Sequence, residues 1–179
     1  MKTDNSHFEA KVQLRLQVVA ETGKDTVTVL ELFAGKSLLW SEVKKRTDVN
    51  IRMLSIEKER GKNPLALGGD NMKFLPSLDL SQFDIIDIDA YGSCFNQLNY
   101  VMEHDYAGYI ICTDIQSIFG RTSDQLLERA GFTRAMIKKI PTLINAHANE
   151  ALWAYLAGYG YEHATGYFLG RKKYFYIKK

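Results

Sequence analysis

The stretch FDIIDIDAYGSC, residues 83–94, sets two carboxylates, a tyrosine, a glycine, a serine and a cysteine at the end of an apolar run. On a strand, residues two apart face the same side, so Asp87 and Asp89 project together while Ile86 and Ile88 face the opposite layer. Asp87 lies deeper and Asp89 stands at the exit. An ionised carboxylate is purely an acceptor, able to hold N–H or O–H donors and to take a proton. Four more acids have related positions: Glu31 in VTVLELF, Glu57 closing IRMLSIE, Asp70 closing LALGGD and Asp114 closing AGYIICTD. Each falls at or near the end of an apolar run, so these carboxylates would crowd one sheet edge, unless each merely caps the helix that follows. Glu57 is placed to accept both hydroxyls of a ribose diol. A nucleophilic role for Cys94 would need a thiolate in an electropositive pocket, and its neighbours are acids. His104, His147 and His163 lack metal-ligand spacing, and Cys94 and Cys112 have no second pair, so no metal is expected and both thiols read as reduced.

The elements that must position these groups alternate. Residues 6–21 fit an amphipathic helix; 27–33, 51–57, LALGGD, 83–90 and 107–114 read as strands; 35–47, 93–104, 123–131 and the segment after Pro141 read as helices, the last being the longest helical pattern. Strands separated by helices imply parallel pairing through right-handed crossovers, hence a doubly wound α/β sandwich. HATGYFLG and KKYFYIKK follow one another around Gly170 and Arg171 without a helix between them, which predicts a closing antiparallel hairpin and a seventh strand. One domain over 1–179 is expected, a helix at 6–21 preceding a core at 27–179.

No apolar run approaches the roughly 20 residues that span a bilayer, and the start, MKTDNSHFEAKVQ, lacks a signal-peptide core. The expectation is a cytoplasmic protein with no membrane partner. A net charge of +2 does not argue for nucleic acid, but RKKYFYIKK carries five cations and no acid. That tail is either a phosphate-facing patch or a solvated edge strand whose lysines discourage aggregation.

ELFAGKSLLW turns from strand to helix around a single glycine, Gly35, and is neither the dinucleotide fingerprint nor a P-loop. At these residues the chain resembles the class I S-adenosylmethionine-dependent methyltransferases, with residues 27–179 following their order of elements. The resemblance implies a Rossmann-like sandwich and S-adenosylmethionine as cofactor. It sets Glu31, Phe33 and Gly35 in the first motif, facing the methionine portion, and Glu57 at the ribose. Asp70 and Asn71 of GGDN, residues 68–71, fall at the adenine, and Asp87 either joins this cofactor-binding set or holds the loop. Ser37 stands where many members keep another glycine.

DIDAYGSC is similar to the D-P-F/Y-G-S-P segment of the tRNA guanine-N2 dimethyltransferase family. CTDIQSIFG (112–120) is similar to its T-D-x-x-x-L-x-G segment, and NEALW (149–153) to its E-x-A-L-R stretch. Ala90, Cys94 and Trp153 depart from those patterns. This resemblance implies an exocyclic base amine as methyl acceptor, such as guanine in tRNA. Asp89 and Tyr91 would be catalytic, the carboxylate steering the amine and the ring stacking on the base. Gly92, Ser93, Thr113 and Asp114 would line the substrate pocket. DNA or a small amine remains open as the acceptor, and Ser37 and Ala90 leave open a degenerate fold kept as a binding module.

Overall fold

The computed structural model describes residues 7–59, 61–116, 122–140 and 147–179. Its centre is β1 (Thr26–Leu32), a β-branched and aliphatic run whose Val27, Val29, Leu30 and Leu32 are wholly buried. β1 pairs in parallel with β2 (Asn50–Glu57) on one side and with β4 (Ile85–Ile88) on the other. β3 (Leu67–Gly68) extends the sheet beyond β2, and β5 (Tyr109–Ile115) extends it beyond β4. β6 (Thr165–Leu169) and β7 (Lys172–Ile177) form the antiparallel hairpin. Gly170, at φ +60°, takes the left-handed turn that a two-residue hairpin loop requires. The sheet order is β3-β2-β1-β4-β5-β7-β6, so strand order reverses between β1 and β4.

Helices cover both faces. On one, α1 (Phe8–Thr22) and α2 (Leu38–Arg46) pack Val12, Val18, Trp40 and Val43 against Val29, Ile85 and Ile111. On the other, α4 (Phe95–Glu103), α5 (Asp124–Arg129) and α7 (Ala148–Ala157) pack Leu98, Leu126 and Leu152 against Ile86, Ile88 and Ile110. Each fully buried aliphatic contributes about 1.5–3 kcal/mol, and the alternation of β4 between the two layers fixes which way Asp87 and Asp89 point. The shorter α3 (Asn71–Phe74) and α6 (Arg134–Lys139) complete the described α-helices.

Two expectations change. β7 lies between β5 and β6, so the cationic tail is not an edge strand. Its Lys173 is 2% exposed, with Nζ 3.5 Å from Asp114, while Lys178 lies over the Tyr109 ring and Lys179 reaches Asp105. Among the described residues α1, with 15 residues, is the longest helix; the pattern after Pro141 yields the 10 residues of α7, and 141–146 lie outside the described residues. Residues 117–121, the latter part of CTDIQSIFG, also lie outside them.

Candidate active site

A cleft opens beyond the carboxyl ends of the parallel strands, at the reversal of strand order, where open α/β sheets bind ligands. Glu31, Phe33, Gly35, Glu57, Asp89 and Tyr91 all line it. The sequence scatters these six over 61 positions, and the parallel register of β1, β2 and β4 brings them together.

At the β1–β2 end the turn after β1 is locked by backbone bonds. Ala34 N–H donates to the Ile56 carbonyl (3.0 Å) and Ser37 N–H to the Ala34 carbonyl (2.7 Å). Gly35 N–H donates to Glu57 Oε2 at 2.6 Å, and Glu59 N–H donates to Oε1 at 2.9 Å. Glu57 is thereby aimed by two main-chain donors, and each oxygen keeps acceptor capacity for a hydroxyl. Three successive alternate residues take left-handed backbone angles: Phe33 at φ +63°, Gly35 at +57° and Ser37 at +50°. Only the glycine does so without strain; the other two cost about 1–2 kcal/mol each, a load typical of ligand-binding turns.

Ser37 gains something from its position. Its hydroxyl donates to Glu31 Oε2 (2.6 Å) and accepts from Asn63 Nδ2 (2.9 Å), and the Ser55 hydroxyl donates to the same Oε2 (2.7 Å). Burial raises the Glu31 carboxyl from 4.5 to about 7; the two serine bonds act against burial, and nearby Asp87 adds to it. No partner of Oε1 is recorded among the described residues.

At the β4 end the carboxylates meet cations from the N-terminal helix. Arg15, 1% exposed, forks onto Asp87, with Nε to Oδ2 and Nη2 to Oδ1 both at 2.8 Å, and Trp40 Nε1 donates to Oδ2 at 2.6 Å. Asp87 is sealed beneath the cleft and does not line it. Lys11 Nζ lies 2.6 Å from Asp89 Oδ1, and the Thr113 hydroxyl donates to the same oxygen at 2.5 Å. Burial pushes the Asp89 carboxyl up, but Arg15, Lys11 and these bonds outweigh it and hold it below the usual carboxylate range.

The remaining expected residues lie outside the lining. Asp70 caps α3, accepting Met72 N–H at 2.9 Å, and Asn71 is buried at the first position of that helix. Asp114 turns towards Lys173, and Ile115 takes the place in the cleft expected for Thr113 and Asp114. The Gly92 carbonyl accepts Ile115 N–H at 3.0 Å, which ties the loop after β4 to β5; Ser93 is exposed. Cys94 and Cys112 are free and buried, and the hydrogen bond between them, with burial and Asp114, pushes the Cys94 thiol well up and away from nucleophilic form. Sequence reasoning missed Phe8, Lys11, Lys36, Lys58 and Lys62, which also line the cleft. For Lys11 a signal existed: with Arg15 it places two cations at i and i+4 inside the apolar stripe of Val12, Val18 and Val19.

No protein-family model matches the sequence, and no curated protein matches it. Solved structures do. The chain is similar to the precorrin-6y C5,15-methyltransferase from Geobacter metallireducens GS-15, with a TM-score of 0.54 and 13% identity over 99% of this chain and 89% of that one. It is also similar to a SAM-dependent methyltransferase from Aquifex aeolicus, at 0.50 and 13% over 98% of both chains. A third is the plantazolicin methyltransferase BamL in complex with SAH, at 0.51 and 13% over 97% of this chain and 86% of that one. The fold is therefore the Rossmann-like α/β fold of S-adenosylmethionine-dependent methyltransferases. Among the described residues no helix is long and apolar enough to cross a membrane.

Proposed function

We propose that this protein is an S-adenosylmethionine-dependent methyltransferase acting on an exocyclic amine of a nucleic-acid base, with guanine in tRNA as the leading acceptor. The observation that carries the reading is Asp89. Among the described residues its contacts fall on Oδ1, which leaves Oδ2 as an acceptor in the cleft beside Tyr91, a ring 58% exposed and available for stacking on an unpaired base.

The donor set at the other end fits the cofactor. Glu57, aimed by Gly35 and Glu59, is suited to a ribose diol, and Glu31 offers Oε1 to a cationic group of the methionine portion. When bound, S-adenosylmethionine supplies an electrophilic methyl on sulfur, open to in-line attack by a nitrogen lone pair. The chain's contribution is orientation. Oδ2 accepts one N–H of the amine and so fixes its nitrogen, Tyr91 holds the ring, and Oδ2 then receives the departing proton.

Calorimetry with S-adenosylmethionine and its demethylated product tests the first half of the reading: wild type binds both, and no affinity for either ends it. Transfer of labelled methyl to total RNA, DNA and a metabolite extract tests the second, with Asp89→Ala binding cofactor but giving no labelled product. A second reading, a binding module that keeps the fold without the reaction, is favoured by the ion pair already occupying Asp89. It requires partner binding that Asp89→Ala leaves unchanged, and no labelled product from wild type.

A further inference from the structure

Lys11 has no role in the reading above, yet it is the one cation from α1 that reaches the cleft lining. It is 5% exposed, its ammonium lies 5.3 Å from the centroid of the Tyr174 ring on β7, and it touches Asp89 at 2.6 Å. The charged groups around the Asp87–Asp89 pair come from several elements: Lys11 and Arg15 from α1, which meet Asp89, Asp87 two residues before it, and Glu31 from β1, which faces Asp87. Thr113 on β5 adds a hydroxyl to Asp89, and Trp40 on α2 an N–H to Asp87. Two cations face Asp87 and Asp89, so the carboxylate at the cleft edge already has its counter-ion.

That arrangement discriminates between amines. An aliphatic amine has a pKa near that of lysine, about 10.4, and enters protonated. It would meet the Lys11 charge, find Asp89 already neutralised, and need a base strong enough to strip its proton before attack. Asp89, held below the ordinary carboxylate range by Arg15 and Lys11 against its burial, is too weak for that. An amino group conjugated to a ring is neutral at pH 7, needs only an acceptor for its N–H, and becomes a strong acid once alkylated.

We propose that Lys11 is a positioning residue that turns Asp89 Oδ2 towards the acceptor and restricts this site to neutral, ring-conjugated amines. The proposal rests on the methyltransferase reading. In the transfer the nitrogen lone pair forms the new N–C bond while the C–S bond breaks. Its electrons remain on sulfur as a neutral thioether, and the nitrogen proton passes to Oδ2 and on to water.

The test follows the Asp89 side-chain carbon by 13C NMR titration in protein labelled at aspartate, with Asp89→Asn assigning the signal. Lys11→Met is expected to move its midpoint up by at least about one pH unit, while Lys11→Arg keeps it near wild type. In parallel, wild type is given labelled S-adenosylmethionine with total RNA or with spermidine. Label in RNA and not in spermidine supports the assignment whether or not Lys11→Met folds. An unmoved midpoint in folded Lys11→Met, or comparable label in spermidine, overturns the role of Lys11 alone. No labelled product with any acceptor overturns the methyltransferase reading beneath it.

Discussion

At the β1–β2 end of the cleft, among the described residues, Glu31 and Glu57 accept only from neutral donors, namely two backbone N–H groups and two serine hydroxyls. At the β4 end, Asp87 and Asp89 are gripped by an arginine and a lysine from α1. Each end holds a pair of carboxylates, Glu31 and Glu57 on neighbouring strands and Asp87 and Asp89 along β4 and its exit, yet their partners differ in charge. The first end offers carboxylate lone pairs that only neutral groups occupy, with Lys36, Lys58 and Lys62 on the same lining, and suits a hydroxyl-bearing ligand. The second is charge-balanced and offers single lone pairs, which suits a neutral group. The transfer proposed above, from a sulfonium to a neutral amine, would use this asymmetry.

The largest expected effect comes from breaking the charged end. Arg15→Met leaves Asp87 buried with only Trp40 as a donor, and breaking a buried pair from one side costs about 3–5 kcal/mol. Burial already holds the folded-state Asp87 carboxyl above its unfolded value despite Arg15, and without that cation it rises further. The fold then favours the protonated form, so the loss is full at neutral pH and shrinks as pH falls. Urea unfolding of wild type and variant at pH 7 and pH 4.5 measures it. An equal deficit at both values would mean that lost packing, and not charge, dominates at this end.

The next effect belongs to the neutral-donor end. Glu31 is raised in the folded state from 4.5 to about 7 by burial, partly countered by Ser37 and Ser55. A raised folded-state value favours the protonated fold, so that contribution is complete below about pH 4.5 and is lost as pH rises through about 7, about 3 kcal/mol in all. Relative to Glu31→Gln, whose stability lacks this titration, wild type therefore weakens between those limits. A flat difference across the window would place Glu31 in a wetter setting than its hydrogen bonds imply. Glu57→Ala is smaller in free energy: loss of its carboxylate should weaken cofactor binding about 10- to 100-fold by calorimetry, the weight of one or two charge-assisted hydrogen bonds. Asp87→Asn, two strands away, should leave that affinity within a few-fold if the two ends are independent.

The same asymmetry explains what could be read from the sequence. The β1–β2 end was legible because its contacts are short in sequence: Ser37 lies 6 residues from Glu31, and Gly35 lies 22 from Glu57. Strand ends and one glycine turn were enough to set Glu31, Gly35 and Glu57 at one edge, but the bonds of Ser37 and Gly35 to the two carboxylates were not foreseen. The other end was half legible. The period-two rule gave the shared face of Asp87 and Asp89, but their partners lie 72 and 78 residues away on α1, where no strand register constrains them. A lysine and an arginine on an amphipathic helix ordinarily face water, so only the crossing of α1 over β4 shows them buried. The tail misled for a related reason: its lysines mark an edge strand by composition, whereas β7 is covered by β6 and Lys173 pairs with Asp114. Asp70, by contrast, performs the capping role open to any acid after a strand.

The smallest effect tests whether the strained turn belongs to the neutral-donor design or is incidental to it. Ser37→Gly removes a left-handed strain of about 1–2 kcal/mol and also removes the hydroxyl that donates to Glu31 and accepts from Asn63, each bond worth about 0.5–1.5 kcal/mol. These nearly cancel, so unfolding free energy should change by no more than about 1 kcal/mol. The Glu31 titration should not cancel: with one donor gone, its folded-state midpoint rises further above about 7, because burial is then opposed chiefly by Ser55. A Ser37→Gly protein of unchanged stability with a displaced Glu31 midpoint would show that the serine tunes this carboxyl at the expense of backbone comfort. A protein stabilised by the full strain, with the midpoint unmoved, would show that the turn tolerates serine for no electrostatic return.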